Sequence, residues 1–123
     1  EQISDLFEKL SETERAIISA LPAEAGMFIG ISGPGKGFRF LLNAESTLIG
    51  REDGADIPLD DVTVSRKHAV VKHSEKSFLL EDLKSLNGSY VNSSSVESQE
   101  LHAGDEIQIG KFKFIFFDGK VKA

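Results

Sequence analysis

Three short polar turns carry the residues of this sequence that could do chemistry. They are Gly50-Arg51, Ser65-Arg-Lys-His68 and Ser85-Leu-Asn-Gly-Ser-Tyr-Val-Asn92. Guanidinium groups, hydroxyls and a carboxamide are donors that proteins use to bind a phosphate or a carboxylate. Taken one at a time, each is an ordinary surface turn, so any functional interpretation depends on their combination.

A hydrolytic site is the first alternative, because Ser65 and His68 lie close in sequence with several aspartates nearby. The Gly-x-Ser-x-Gly elbow that exposes a nucleophilic serine is absent, since the stretch reads Thr63-Val-Ser-Arg-Lys67. No strand-to-helix turn is visible there. We therefore predict that His68 is structural and that the chain has no catalytic residue.

A nucleotide-binding loop is the second alternative. Gly30-Ile-Ser-Gly-Pro-Gly-Lys-Gly37 nearly matches the P-loop pattern. A P-loop needs a hydroxyl after its lysine and a helix that follows, but Gly37 takes the place of the hydroxyl and Phe38-Arg-Phe-Leu-Leu42 reads as a strand. The segment is predicted to be a hairpin turn.

The sequence contains no convincing set of metal ligands. His68 and His73 are five residues apart on one predicted strand and face opposite sides, and His102 lies in a distant loop. The acidic cluster at 53–61 lacks the Asp-x-Asp-x-Asp-Gly register of a calcium loop. We predict no metal and no cofactor.

Composition limits the remaining classes. The 123 residues suit one domain, and the absence of cysteine excludes disulfides and fits a reducing compartment, with the cytoplasm as the default. A net charge of -6 disfavours a nucleic-acid surface, so an anion site must be local. No signal peptide or apolar run long enough to cross a membrane is visible.

From Met27 onward the sequence predicts an all-β fold, because short apolar or alternating runs are separated by turn residues. Nine strands at this spacing favour a sandwich of two packed, mostly antiparallel sheets. In the last run Phe112, Phe114 and Phe116 share a buried face, and the opposite face, with Ile115, is expected to be mostly solvated. Six or more of the nine phenylalanines are assigned to the core. The predicted strands are 27–32, 38–42, 46–49, 56–59, 69–73, 77–82, 90–92, 106–109 and 111–118.

The first 25 residues have a different character and are assigned as an acidic amphipathic tail, with the domain at 26–123. Residues 1–24 carry six carboxylates against two basic side chains. Apolar residues recur at helical spacing, and Ser11 and Glu14 have the spacing of a capping box. Two interpretations stay open: a helix packed on its own domain and a mobile regulatory arm.

In combination and in this order, the three turns resemble the forkhead-associated (FHA) domain, a phosphothreonine-binding β-sandwich. The match runs from about Met27 to Asp118. The stretches Leu59-Asp-Asp-Val-Thr-Val-Ser-Arg-Lys-His68 and Gly104-Asp-Glu-Ile-Gln-Ile-Gly-Lys-Phe112 are especially similar to the small actinobacterial regulators of the GarA and OdhI type. Those regulators are single FHA domains with an N-terminal tail.

The resemblance implies a division of roles among the residues of the three turns. Arg51, Ser65 and Arg66 would bind the phosphate, Asn87 would bind the main chain of an extended peptide, and Ser85 would add a weaker hydroxyl contact. The remaining positions are expected to support the loops and the peptide backbone: Gly50, His68, Gly88 and Asn92.

The resemblance also implies partners. These are phosphothreonine-containing proteins, a serine/threonine protein kinase, and either the first component of 2-oxoglutarate dehydrogenase or glutamate dehydrogenase. The chain is expected to be a monomer that binds neither nucleic acid nor membrane. The family's tail threonine motif is missing, since the nearest stretch is Glu1-Gln-Ile-Ser-Asp-Leu-Phe7, so Ser4 and Thr13 are the candidate phosphosites. A generic FHA adaptor for kinase substrates and a hydrolase using Ser65 and His68 are the alternatives.

Overall fold

Eleven strands and one helix make up the described part of the chain. The computed structural model describes residue 8 and residues 10–75 and 77–120. The elements are α1 (Glu12–Ser19), β1 (Gly26–Ser32), β2 (Arg39–Leu42), β3 (Ser46–Gly50), β4 (Ile57–Pro58), β5 (Ala69–Ser74), β6 (Ser77–Asp82), β7 (Ser89–Val91), β8 (Ser94–Val96), β9 (Ser98–Glu100), β10 (Glu106–Ile109) and β11 (Phe112–Asp118).

The strands form two sheets, in the orders β2-β1-β11-β10-β7-β8 and β4-β3-β5-β6-β9. Every pair is antiparallel except β3 with β4. The predicted sandwich of two mostly antiparallel sheets is therefore confirmed. Within the described residues, no helix is long and apolar enough to cross a bilayer.

All nine predicted strands are present, but two were missed. Strands β8 and β9 consist of Ser-Ser-Val and Ser-Gln-Glu, and five of these six residues are exposed. Serine and glutamate have low strand propensity, and edge strands in solvent show no alternation of apolar and polar residues. The segment 33–37 forms a tight turn with a 3-10 segment at Gly33–Gly35 between β1 and β2, as predicted in place of a P-loop.

The main core fills the space between the two sheets. Among the described residues six phenylalanines are buried, as the sequence predicts. Five lie in this main core and Phe117 lies in a second cluster: Phe28, Phe78, Phe112, Phe114, Phe116 and Phe117. Neighbouring rings pack edge to face, for example Phe78 against Phe116 with centroids 5.1 Å apart. Aromatic pairs of this geometry add stabilisation beyond their buried area.

The outer face of β11 is not solvated as predicted, because the N-terminal segment covers it. Ile115 and Phe117 are both buried, in a second apolar cluster that contains Leu10, Ile18 and Leu21. The apolar stripe of α1 therefore has a partner within the same chain. Over the described residues, the interpretation as a helix packed on its own domain is the one observed, while the domain boundary at residue 25 stays a prediction.

Helix α1 begins where the sequence predicts. The Ser11 hydroxyl accepts a hydrogen bond from the Glu14 N–H, and the Glu14 carboxylate accepts one from the Ser11 N–H, each at 3.0 Å. This capping box satisfies two amide groups that a helix start would leave without partners. A helix of eight residues is marginal alone, so burial of Ile18 contributes to its stability.

Candidate functional site

The connection after β3 places Arg51. A Cβ added to Gly50 would lie 1.9 Å from the carbonyl oxygen of Arg66, so only glycine permits this close approach of the two loops. The Arg51 N–H donates to the Ser65 carbonyl at 3.0 Å, and its Nε donates to the Val64 carbonyl at 3.0 Å. Neither Nη group of the exposed Arg51 bonds another described residue, so the guanidinium is oriented and its outer donors face solvent.

The loop between β4 and β5 places Ser65 and is fixed by His68. The Ser65 N–H donates to His68 Nδ1 at 3.0 Å. Because Nδ1 accepts, Nε2 carries the proton and donates to the Gly88 carbonyl at 2.8 Å. His68 is completely buried and joins two of the three turns.

The Ser65 hydroxyl can still donate a hydrogen bond. Its oxygen accepts a hydrogen bond from the Leu86 N–H at 3.0 Å. A serine hydroxyl has one proton and two lone pairs, so this contact leaves its proton for an anion. The geometry is unlike that of a hydrolase, because both nitrogens of His68 bond backbone atoms and neither approaches the Ser65 hydroxyl as a base.

The loop between β6 and β7 places Asn87 on the same end of the sandwich. Asn87 Nδ2 donates to the Thr63 carbonyl at 2.9 Å. No described residue bonds its Oδ1, which stays available as an acceptor for a peptide N–H. Gly88 has a φ of +84°, a backbone conformation that favours glycine.

Ser85, predicted to contact the phosphate, has another role in this structure. Its hydroxyl donates to Asp82 Oδ1 at 2.6 Å and accepts from the Gly88 N–H at 2.9 Å. The hydroxyl therefore already donates its one hydrogen bond to a carboxylate and has none left to donate to a phosphate. We assign Ser85 to support of the Asn87 loop and remove it from the phosphate-binding set.

Asp82 organises that loop. Its carboxylate also accepts from the Ser85 N–H at 3.0 Å and from the Ser89 hydroxyl at 2.7 Å. Burial alone would raise the pKa of Asp82, but the hydrogen bonds from Ser85 and Ser89 outweigh it and hold this pKa below the ordinary value. The charged form of Asp82 is therefore the one that the folded loop favours.

We expect Asp82→Asn to lower the thermal midpoint at neutral pH, because an amide cannot accept all three of these hydrogen bonds. A lowered folded pKa gives stabilisation that is complete above the unfolded value of about 3.9 and is lost as pH falls through the folded pKa. The gap between wild-type and variant midpoints should thus shrink below about pH 4. Thermal unfolding across that range tests this, and a gap independent of pH would contradict the role of the charged carboxylate.

Thr63 was not identified from the sequence, yet it joins three loops. Its carbonyl accepts from Asn87, its hydroxyl donates to Asp61 and accepts from the Lys111 N–H at 3.1 Å, and Gly110 packs against it. The Asp61-x-Thr63 spacing, in which the aspartate accepts from the Thr63 N–H at 2.9 Å, is the signal that was available. These hydrogen bonds hold the pKa of Asp61 below its ordinary value.

A groove beside Asn87 continues from this junction. Its volume is about 490 Å³, and its lining is polar: Thr63, Asn87, Tyr90, Ser93, Gln108, Gly110 and Lys111. Asn87 thus lines the groove, and its neighbour Leu86 bonds the Ser65 turn. A bound segment that contacts Asn87 can extend into it.

We expect Thr63→Val to weaken binding of the phosphothreonine peptide that the resemblance implies as ligand, by about threefold to tenfold, because loss of the hydroxyl releases the loop after β10 from the loop before β5. The two lost hydrogen bonds, to Asp61 and from the Lys111 N–H, also lower the free energy of unfolding, by about 1 kcal/mol each. Thr63→Ser keeps the hydroxyl and is the control. Titration calorimetry on the three proteins measures the effect, and equal affinities would show that Thr63 positions nothing.

Asn92 supports a different connection. It has a φ of +50° in the turn after β7, its Nδ2 donates to Asp105 at 3.0 Å, and its Oδ1 accepts from the Glu106 N–H at 3.0 Å. Both ends of its carboxamide are therefore used within the loops. This use fits the loop-support part of its predicted role, and the second N–H of Nδ2 bonds no described residue.

The remaining candidates for metal chemistry are dispersed. Groups of three or more histidine, aspartate or glutamate side chains suited to a metal are absent from the described residues. His73 stacks on Phe78 with ring centroids 4.1 Å apart, at the end of β5 that lies away from the Ser65 turn. The loop end instead holds the Ser65 hydroxyl and two exposed arginines, Arg51 and Arg66, which are donors of the kind that bind an anion.

Comparison with known proteins agrees with this geometry. The family model described as FHA domain matches residues 47–110. An oxoglutarate dehydrogenase inhibitor of Corynebacterium diphtheriae is 50% identical over 98 residues, covering 80% of this chain and 68% of that protein. The glycogen accumulation regulator GarA of Mycolicibacterium smegmatis is 45% identical over 109 residues, covering 87% of this chain and 69% of that protein.

A solved FHA structure shares the fold. It comes from a study of phosphothreonine-dependent FHA domain interactions, has a TM-score of 0.69 and 32% identity, and covers 76% of this chain and 95% of its own. Sequence similarity, fold and the order of the three turns therefore agree. This chain belongs to the FHA domain family, in the group that contains GarA and the oxoglutarate dehydrogenase inhibitors.

Proposed function

We propose that this protein is a regulator that binds phosphothreonine-containing segments through the loop end of its sandwich. The observation that carries the proposal is the convergence of Arg51, Ser65 and Asn87 on three loops that hydrogen bonds hold together. Fixed donors lose little conformational entropy on binding, which favours affinity for a small charged group.

The phosphate would meet two cations and one hydroxyl. A phosphothreonine has nearly two negative charges and three acceptor oxygens. The outward donors of Arg51 form a fork that fits two of those oxygens, and the Ser65 proton is free for a third contact. Arg66 is an exposed cation that follows Ser65 directly in the same loop. Asn87 can then pair with the peptide main chain through its free acceptor.

We further propose that the regulated partner is the first component of 2-oxoglutarate dehydrogenase, with glutamate dehydrogenase and a serine/threonine protein kinase as additional partners. The support is the similarity to proteins named oxoglutarate dehydrogenase inhibitor, at 44% to 50% identity. A cytoplasmic location stays a prediction from the sequence.

Inhibition of a purified actinobacterial 2-oxoglutarate dehydrogenase complex tests this partner. The wild-type protein should lower its rate of 2-oxoglutarate oxidation, and an Arg51→Ala variant at the same concentration should lower it far less. A generic adaptor would bind phosphopeptides and leave the rate unchanged, which would contradict the proposed partner while leaving phosphothreonine binding intact. Hydrolysis by Ser65 and His68 is not favoured, since His68 has no nitrogen left to act as its base.

The N-terminal segment contributes to folding in this proposal. Thr13 is exposed in the first turn of α1, and FHA domains bind extended segments, so a phosphate on Thr13 would not enter the site of the same chain while α1 stays folded. Ser4, the other candidate phosphosite, lies outside the described residues.

Deletion of residues 1–24 should therefore lower the free energy of unfolding by several kcal/mol, because it exposes Ile115 and Phe117, and full burial of one such side chain is worth about 1.5–3 kcal/mol. Peptide affinity should change by less than about tenfold, since carboxylates are poor substitutes for a phosphate. Urea unfolding and titration calorimetry measure the two effects. A stable truncated protein with a hundredfold higher affinity would show an inhibitory tail instead.

A further inference from the structure

Two nearly fully exposed apolar side chains lie in the loops of the site. Val62 is 88% exposed and Leu86 is 89% exposed. The other large apolar side chains that are substantially exposed among the described residues, such as Leu41 at 49%, retain about half of their burial or more. Isolated apolar residues on a surface are ordinary, but these two share one end of the molecule.

The exposure of these side chains is not a product of loose loops. The backbone around Val62 is held by hydrogen bonds from the Val64 N–H to the Asp61 carbonyl at 3.0 Å and from the Asp61 N–H to the Leu59 carbonyl at 2.9 Å. The N–H of Leu86 itself donates to Ser65. Both side chains are therefore presented to solvent from fixed backbone.

Hydrogen bonds between the two loops give the order of the residues along the site. Ser65 bonds the main chain of Leu86, and the Thr63 carbonyl bonds Asn87. The two loops therefore run antiparallel. Leu86 lies on the phosphate side of Asn87, and Val62 lies next to Thr63 on the far side. A segment anchored by its phosphate and by Asn87 would pass both.

From this order we infer that Val62 and Leu86 select phosphothreonine segments that carry one apolar side chain next to the phosphothreonine and another farther along the segment, beyond the residue that pairs with Asn87. The inference rests on the proposed function. Leu86 contacts a residue close to the phosphothreonine, and Val62 contacts a residue beyond Asn87. Polar anchors around apolar contacts are the usual composition of a specific interface, and burial of these two side chains gives the bound segment affinity that the phosphate alone does not supply.

Two phosphothreonine peptides test the inference, one with leucine next to the phosphothreonine and farther along the segment, and one with serine at the same positions. Titration calorimetry should show that the wild-type protein prefers the leucine peptide by about fivefold or more, from partial burial of two apolar side chains. In the double variant Val62→Ser, Leu86→Ser the preference should disappear while affinity for the serine peptide stays within about twofold. Leu41→Ser, on the distant strand β2, is the matched control and should keep the preference.

The outcomes separate this inference from the proposed function. Equal affinity of the wild-type protein for both peptides, or a preference that survives in the double variant, would overturn the selection by Val62 and Leu86 alone. A wild-type protein that binds neither peptide would overturn phosphothreonine binding and this inference with it. Because Val62 and Leu86 are both exposed, the thermal midpoint of the double variant should match the wild type, so a lost preference cannot come from unfolding.

Discussion

Replacement of Arg51 by alanine should weaken phosphothreonine-peptide binding by at least about thirtyfold, or about 2 kcal/mol, because hydrogen bonds to charged groups contribute about 1.5–3 kcal/mol each. Arg51 is exposed and only its Nε and backbone bond the protein, so the fold should persist. Titration calorimetry with one peptide measures the loss. Arg51→Lys should recover only part of it, since an ammonium keeps the charge but not the fork.

A matched control comes from Arg39, an arginine exposed on β2 outside the three turns. Arg39→Ala removes the same charge from the protein and should leave affinity within about twofold. Equal affinities of wild type and Arg51→Ala would contradict the assignment of Arg51. A similar loss in both variants would mean that net charge, and not the guanidinium fork, determines binding.

His68→Ala should lower the free energy of unfolding by about 3 kcal/mol or more. The substitution leaves a cavity in a completely buried position and removes the partners of the Ser65 N–H and the Gly88 carbonyl, each of which costs about 1–3 kcal/mol when buried without one. Urea unfolding followed by circular dichroism gives this value. His102→Ala, in an exposed loop, is the control and should be neutral.

Peptide binding by His68→Ala should also weaken, but only as a consequence of looser turns. A variant that keeps full stability while losing a hydrolytic activity of the wild type would reverse this interpretation and return Ser65 and His68 to catalysis. The two readouts are independent, so a destabilised variant still gives a clear answer.

The strands were predictable where one face is buried, because alternation then appears in the sequence, as in Phe112, Phe114 and Phe116. The prediction of a solvated outer face was wrong for β11, because both faces of this strand are buried. Ile115 and Phe117 lie on the opposite face of β11, and helix α1 buries them. Two apolar surfaces without partners, one on β11 and one on the tail, were both visible in the sequence, and pairing them would have predicted the packed helix.

The site residues were predictable as types and order, but their hydrogen-bond partners were not. In the sequence nothing shows that the Ser85 hydroxyl has a partner, whereas in the fold this hydroxyl donates its hydrogen bond to Asp82. Thr63 looks like a strand-flanking residue, and its role depends on contacts with Asn87 and Lys111 that are 24 and 48 positions away. Contacts between loops this distant follow from the packing of the sheets and not from local pattern.

Titration of the wild-type protein with one threonine peptide, phosphorylated and unphosphorylated, tests phosphothreonine recognition most directly. Because the proposed phosphate donors, Arg51, Arg66 and the Ser65 hydroxyl, suit a doubly charged group with three acceptor oxygens, the phosphorylated peptide should bind with a Kd of about micromolar or tighter. The unphosphorylated peptide should bind at least about a hundredfold more weakly. Equal affinity for the two peptides, or no measurable binding of either, would contradict the account.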